Sequence, residues 1–455
     1  LEYRDESSDF KWTPLAQGII PAGSPFPAGT NVSDVSANTS LTWRPQLSKQ
    51  NETGSYDVTD IFVETSIPLL ADMTMARELT VDLAARLSDY STIGQTTTWK
   101  ANLIWAPIDS LALRATFSEA VRAPNITELF GPEIGLNFRP DDPCDVAQIN
   151  AIAQDNPTLA QQTQANCVAE FQSLGIPTDV YQDGTGAYIF VDPLSASFGG
   201  VTGGNPNLQE ETAETFTTGL VWQPEFVQGL SITLDYWDIA IEDAIEAVSS
   251  QNIVDGCYQQ AVPNPAFCEL SGRNDNPNSA QVGGFNFLRQ TTLNFAKVET
   301  SGYDFSVSYA FDLGAHGFDV TAQGTKVDEI NDFENPLDPT FKNPELVEIN
   351  RPELAGNVFL NWNWGDLRVG WQSQFIDEML YGGIEVETAE TLYGSSVFRD
   401  AMWMHDINAS YLINDGLMVY GGIKNVTEEV PYITELAFPA SPRGRFFFVG
   451  VDWSM

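Results

Sequence analysis

The stretch Tyr303-Asp304-Phe305-Ser306-Val307-Ser308-Tyr309-Ala310-Phe311 carries an apolar side chain at every odd position and a polar or small one at every even position. Successive side chains of an extended strand point to opposite faces, so this segment has one oily face and one that tolerates water. The same alternation recurs in Leu367-Arg368-Val369-Gly370-Trp371-Gln372, in Ile407-Asn408-Ala409-Ser410-Tyr411, from Val358 to Trp364, and in Phe447, Val449, Val451, Trp453 and Met455. Working outward, strands are expected near 444–455, 416–427, 403–414, 366–378, 353–365, 316–329, 296–312, 229–243, 212–223, 110–121, 96–107, 78–90, 57–69 and 1–12. That makes about fourteen strands of about 10 residues or more, the length a tilted strand needs to cross a bilayer.

The connections sort into two kinds. Asn414-Asp415-Gly416, Trp364-Gly365-Asp366, Gly314-Ala315-His316 and Pro107-Ile108-Asp109 read as tight turns, whereas 122–211, 244–295, 330–352 and 379–402 are long. Apart from a compact 91–95 link, short and long alternate. A soluble sandwich has no reason to gather its tight turns at one end and its long excursions at the other. Outer-membrane barrels do, with short periplasmic turns and longer extracellular loops.

Composition agrees. The 455 residues show no shift that marks a domain boundary, so one large all-β domain over 1–455 is expected. Aromatics reach 11% and charged residues only 18%, below the roughly 25% of soluble domains. The net charge of −41 repels phosphate backbones and excludes nucleic acid as a partner. The acidic residues are scattered through loops, where they solvate the wet faces or bind divalent cations such as calcium. No run of about 18 uncharged apolar residues occurs, which leaves strands as the membrane-crossing element. Tryptophans 99, 105, 362, 364, 371, 403 and 453 fall near strand ends, where rings sit at headgroup level, although the core of a sandwich would place them similarly.

Cys144 with Cys167 and Cys257 with Cys268 form two sequence-local couples in polar Pro/Asn-rich segments. Local disulfides fit this spacing and an oxidising compartment. Zinc is the competing reading, but tight CxxC spacing is absent and the histidines, His316 and His405, lie elsewhere.

The run Leu113-Arg114-Ala115-Thr116-Phe117-Ser118-Glu119-Ala120-Val121-Arg122-Ala123-Pro124-Asn125-Ile126-Thr127-Glu128-Leu129-Phe130 resembles a stretch of TonB-dependent receptor barrels. Gly204-Asn205-Pro206-Asn207-Leu208-Gln209-Glu210-Glu211-Thr212, Gly229-Leu230-Ser231 through Asp235-Tyr236-Trp237-Asp238-Ile239, Glu299-Thr300-Ser301-Gly302-Tyr303-Asp304 and Gly421-Gly422-Ile423-Lys424-Asn425-Val426 extend the likeness in order. Asp142-Pro143-Cys144-Asp145 and Phe267-Cys268 look like cysteine loops of members that import larger nutrients. The resemblance implies a transmembrane antiparallel barrel of 22 strands, of which this chain would hold the C-terminal fourteen or so. A plug domain, its TonB box and the early strands are then expected ahead of Leu1. The ending Asp452-Trp453-Ser454-Met455 departs from the family's terminal aromatic residue and leaves Trp453 as the nearest candidate.

No catalytic constellation stands out. Asp235 with Asp238, and Glu242 with Asp243, read as strand and turn residues; neighbouring His405 and Asp406 point to opposite faces, without a nucleophile motif. Asn274-Asp275-Asn276 lacks the spacing of an EF-hand loop and reads as a turn. Ligand contacts are expected from loop aromatics, with Tyr188, Phe198, Phe287, Tyr381 and Tyr393 as candidates.

The expected function is uptake of a scarce nutrient (oligosaccharide, peptide, siderophore or similar) across the outer membrane of a Gram-negative bacterium, without chemistry on the ligand. The resemblance implies the TonB–ExbB–ExbD complex, the receptor's own plug, outer-membrane lipid and a surface lipoprotein as partners. A passive porin-like channel and a secreted β-rich adhesin or glycan-binding module are the alternatives.

Overall fold

A computed structural model describes residues 1–11, 52–335, 338–380, 385–431 and 440–453. Fourteen of its strands run in one antiparallel wall in simple sequence order, each paired with its predecessor. They are β1 (Glu2–Phe10), β2 (Glu52–Met73), β3 (Ala76–Tyr90), β4 (Gly94–Ile108), β5 (Leu111–Arg122), β8 (Glu211–Trp222), β9 (Leu230–Ala247), β12 (Thr292–Leu313), β13 (His316–Phe333), β15 (Leu354–Trp364), β16 (Leu367–Ile376), β19 (Met402–Asn414), β20 (Leu417–Lys424) and β21 (Phe446–Trp453). The shorter β6 (Ile134–Phe138), β7 (Phe198–Thr202), β10 (Ser271–Arg273) and β11 (Phe285–Gln290) belong to the loops, as do the two-residue β14 (Asn343–Pro344), β17 (Met379–Leu380) and β18 (Phe398–Arg399).

Register turns the alternation into two faces. Trp105, Leu113, Leu220, Leu234 and Phe305 lie directly opposite one another across five neighbouring strands and form an apolar row. Trp105, Leu234 and Phe305 are exposed and Leu113 and Leu220 half-buried, with no member fully buried, as a surface that meets lipid must be. The adjacent row on the other face is Arg114, Gly219, Asp235, Asp304 and Thr325. Gly219 opens a gap through which Arg114 forks onto Asp235, Nε to Oδ1 at 2.8 Å and Nη2 to Oδ2 at 2.6 Å. A β-carbon on Gly219 would sit 1.9 Å from Asp235 Oδ1, so only glycine fits.

The links 74–75, 109–110, 223–229, 314–315, 365–366 and 415–416 are short and share one end of the wall, as the tight turns require. At the other end lie 123–210, 248–291, 334–353, 377–401 and 425–445, together with the short 91–93 hairpin that stands as the one exception. The strand ends differ from expectation where pairing continues past the bilayer span. β2 and β12 each run 22 residues, because β2 pairs from Glu52 against Phe10 to Met73 against Ala76, and β12 pairs β9 and β13 far into the loop end.

Helices are the largest feature that strand periodicity does not announce. Val146–Asp155, Pro157–Ser173, Ser250–Tyr258 and Pro265–Cys268 all lie in the two longest loops. Each starts on a side-chain cap, namely Asp145, Asn156, Ser249 and Asn264, and Pro157 and Pro265 take first-turn positions. These residues satisfy the orphan N–H groups of a helix start.

Candidate functional site

The largest apolar core lies not in the wall but in the two longest loops. Phe171, Phe190, Ile253, Val254, Tyr258 and Leu288 are buried there, drawn from both 123–210 and 248–291. The strands β10, β11, β7 and β6 form a second, four-stranded sheet in which β11 of the second loop pairs in parallel with β7 of the first.

Arg273 is the centre of this two-loop unit, the loop cap. Its side chain is wholly buried, and a buried charge must be paired and hydrogen-bonded to persist. Nη1 and Nη2 donate to the two carboxylate oxygens of Asp142 at 2.7 and 2.8 Å, and Nη1 also donates to the Gly283 carbonyl at 2.7 Å. Nε reaches Glu170 at 3.0 Å and the Tyr258 hydroxyl at 2.8 Å. The guanidinium lies over the Phe285, Tyr258 and Phe171 rings at 4.0, 4.9 and 5.2 Å. Burial opposes its charge, but Asp142, Tyr258 and Glu170 outweigh that and hold its pKa well above the ordinary arginine value. Burial pushes the Tyr258 hydroxyl up as well, so it stays protonated and donates to Glu170.

The cysteines form two disulfides, Cys144–Cys167 and Cys257–Cys268, one in each loop. The competing zinc reading is thereby set aside. Cys144 and Cys167 are fully buried beside Arg273, whose Nη2 lies 3.2 Å from Cys144 Sγ.

The candidate ligand aromatics divide by position. Tyr188 packs against the cap core and donates its hydroxyl to the Cys144 carbonyl at 2.6 Å, while Phe198 stacks on Phe285 at 6.0 Å. Phe287 and Tyr393 are 38% and 58% exposed. Tyr381 lies outside the described residues. The structure therefore brings Tyr188 and Phe198 into one core, with Phe287 on the neighbouring strand β11 and Tyr393 on the separate helix Val386–Tyr393.

Carboxylates considered for chemistry are occupied otherwise. Asp238 accepts from Tyr236 at 3.1 Å, and Glu242 pairs with Lys297 at 2.8 Å. His405 stacks between Trp371 and Trp403 at 5.7 and 6.3 Å, whereas Asp406 on the opposite face accepts the Asn425 N–H at 2.7 Å. Asn274-Asp275-Asn276 forms the expected turn, Asn274 accepting the Asn276 N–H at 3.1 Å. Among the described residues, Glu345, Glu348 and Glu385 form a group of three carboxylates with oxygens all within 4.8 Å of one another, and this is where the calcium expectation would fall. Arg351 pairs with Glu345 and supplies positive charge to the group, while burial and then Glu385 raise the pKa of Glu348.

A meandering wall with one oily and one polar face, carrying folded loops at one end, is the architecture of a transmembrane antiparallel β-barrel. The chain belongs to the TonB-dependent receptor family, whose β-barrel model (TonB dependent receptor-like, beta-barrel) matches residues 3–426. The siderophore receptor PirA from Acinetobacter baumannii is similar in structure, at TM-score 0.55 and 16% identity over 89% of this chain and 46% of its own. A variant of the ferric enterobactin receptor from Pseudomonas aeruginosa is similar at TM-score 0.56 and 15% identity, over 100% of this chain and 50% of its own. The chain thus spans about half the length of these receptors. No curated protein sequence matches it.

Proposed function

We propose that this chain forms the C-terminal wall and loop cap of an outer-membrane importer that captures a scarce nutrient from outside the cell and passes it to the periplasm. The observation that carries the reading is the fourteen-strand meander with an apolar row beside a charged one, because an apolar row that no second layer covers needs lipid against it while the charged row needs water. In this reading the short-turn end faces the periplasm, the disulfide-bonded loops face outward, and 1–455 is one incomplete domain. The plug, TonB box and remaining strands lie in other parts of the same receptor, and TonB with ExbB and ExbD supplies the energy.

Phe287 and Tyr393 are the candidates with ring surface free to meet a ligand; Tyr188 and Phe198 would act by shaping the cap. Ferric siderophores are the first ligand class to try, given the receptors with similar folds. The test is accumulation of labelled ferric siderophores, oligosaccharides and peptides by cells producing the full-length protein, with and without TonB. Uptake that stops without TonB supports the reading. Entry that persists without TonB would make the barrel a passive channel, and a protein soluble without detergent would remove the membrane role altogether.

A further inference from the structure

The loops 123–210 and 248–291 hold each other through groups that neither can satisfy alone. Arg273 of the second loop is buried with Asp142 and Glu170 of the first. Asn166 of the first donates its amide to the carbonyls of Tyr258 and Gln260 of the second at 2.9 and 2.8 Å. Asp141 and Gln251 exchange two bonds, the Asp141 N–H to Gln251 Oε1 at 2.8 Å and Gln251 Nε2 to the Asp141 carbonyl at 3.1 Å. Arg289 and Gln290 of β11 pair with Val201 and Thr202 of β7 across the same boundary.

We propose that the two loops are one cooperative cap, which opens as a single unit with Arg273 as its coupling residue, and not two independent flaps. If either loop lifted alone, Arg273 or Asp142 would be stripped of its partner inside a low-dielectric core, the costliest state available to a buried ion pair. Opening both together wets both charges at once. Each disulfide ties a segment of its own loop, 144–167 in the first and 257–268 in the second, and Asp142, Glu170 and Arg273 lie within five residues of these tied segments. The wall anchors the cap separately, through a small core in which Leu129 and Leu208 of the first loop pack with Tyr56 and Ile245 of the strands.

Hydrogen exchange on the purified full-length receptor in detergent tests this without a ligand. In the unaltered protein the most protected amides of Pro157–Ser173 and of Ser250–Tyr258 should share one opening rate, within about threefold, distinct from that of the wall strands β8 and β9. In a Cys257→Ser/Cys268→Ser variant, whose two changed residues belong to the second loop, protection of Pro157–Ser173 should fall by about tenfold or more along with that of Ser250–Tyr258. Opening rates in the unaltered protein that differ by more than about tenfold, or a loss in the variant confined to 248–291, would overturn the proposal. The barrel's heat-dependent mobility in detergent gels shows whether the variant has assembled, and if it has not, the unaltered protein alone decides.

Discussion

At the residue scale, two positions show how chemistry is specified by what stands opposite. Arg273 is held by charge partners from a distant part of the chain, and replacing it with Met should leave Asp142 buried and unpaired. The expected cost to the cap is about 3–5 kcal/mol, read as faster exchange in both loop helices while the wall keeps its assembled mobility. Gly219 is held by space. Gly219→Val should force Asp235 and the Leu234 carbonyl aside, since even a bare β-carbon would lie 1.9 and 2.6 Å from them. The yield of assembled barrel should fall markedly on detergent gels. Asp235→Asn should do far less, because Arg114 is half exposed and such a pair contributes at most about 1 kcal/mol. Neither role is legible locally: Arg273 sits in Ser-Gly-Arg-Asn, which carries no motif, and Gly219 reads as one small residue among several.

At the scale of elements, the helix Ser250–Tyr258 carries a titrating group. Burial, with repulsion from Asp141 and Asp142, pushes the Asp255 carboxyl up to about 6 from 3.8, against the opposing hydrogen bonds of Gln251 and Gln259. The folded cap thus binds this proton more tightly than the unfolded chain. Its contribution to stability is complete below the unfolded value and is lost as pH rises through about 6. Exchange from the cap, corrected for intrinsic rates, should be slower at about pH 5 than at about pH 7.5. Asp255→Asn should remove most of that difference. The wall strands were legible because each must repeat its pattern over a whole bilayer span. The loop helices were less so: their caps at Asp145, Asn156, Ser249 and Asn264 are readable signals, but each is a single residue in a polar segment without sustained periodicity.

At the scale of the whole molecule, the two faces of the wall should respond oppositely to the same change. Phe305→Arg puts a charge among Leu234, Leu220 and Leu113 on the lipid side and should cost about 2–4 kcal/mol near mid-membrane. The neighbouring Ser306→Arg points to the wet side and should be accepted. The fraction of each variant recovered as assembled barrel from outer membranes measures the difference, and equal recovery would contradict the assignment of faces. That assignment, the strand order and the separation of short turns from long loops were determined by sequence alone, because a bilayer imposes one alternating period on every strand, and nearest neighbours in the chain become nearest neighbours in the wall. Only the tertiary structure decided that the two longest loops share a core, that Tyr188 and Phe198 pack into it, and that Arg273 finds Asp142 across 131 positions. Those contacts join residues far apart in the chain, and no local periodicity records which distant side chain will neutralise a buried charge.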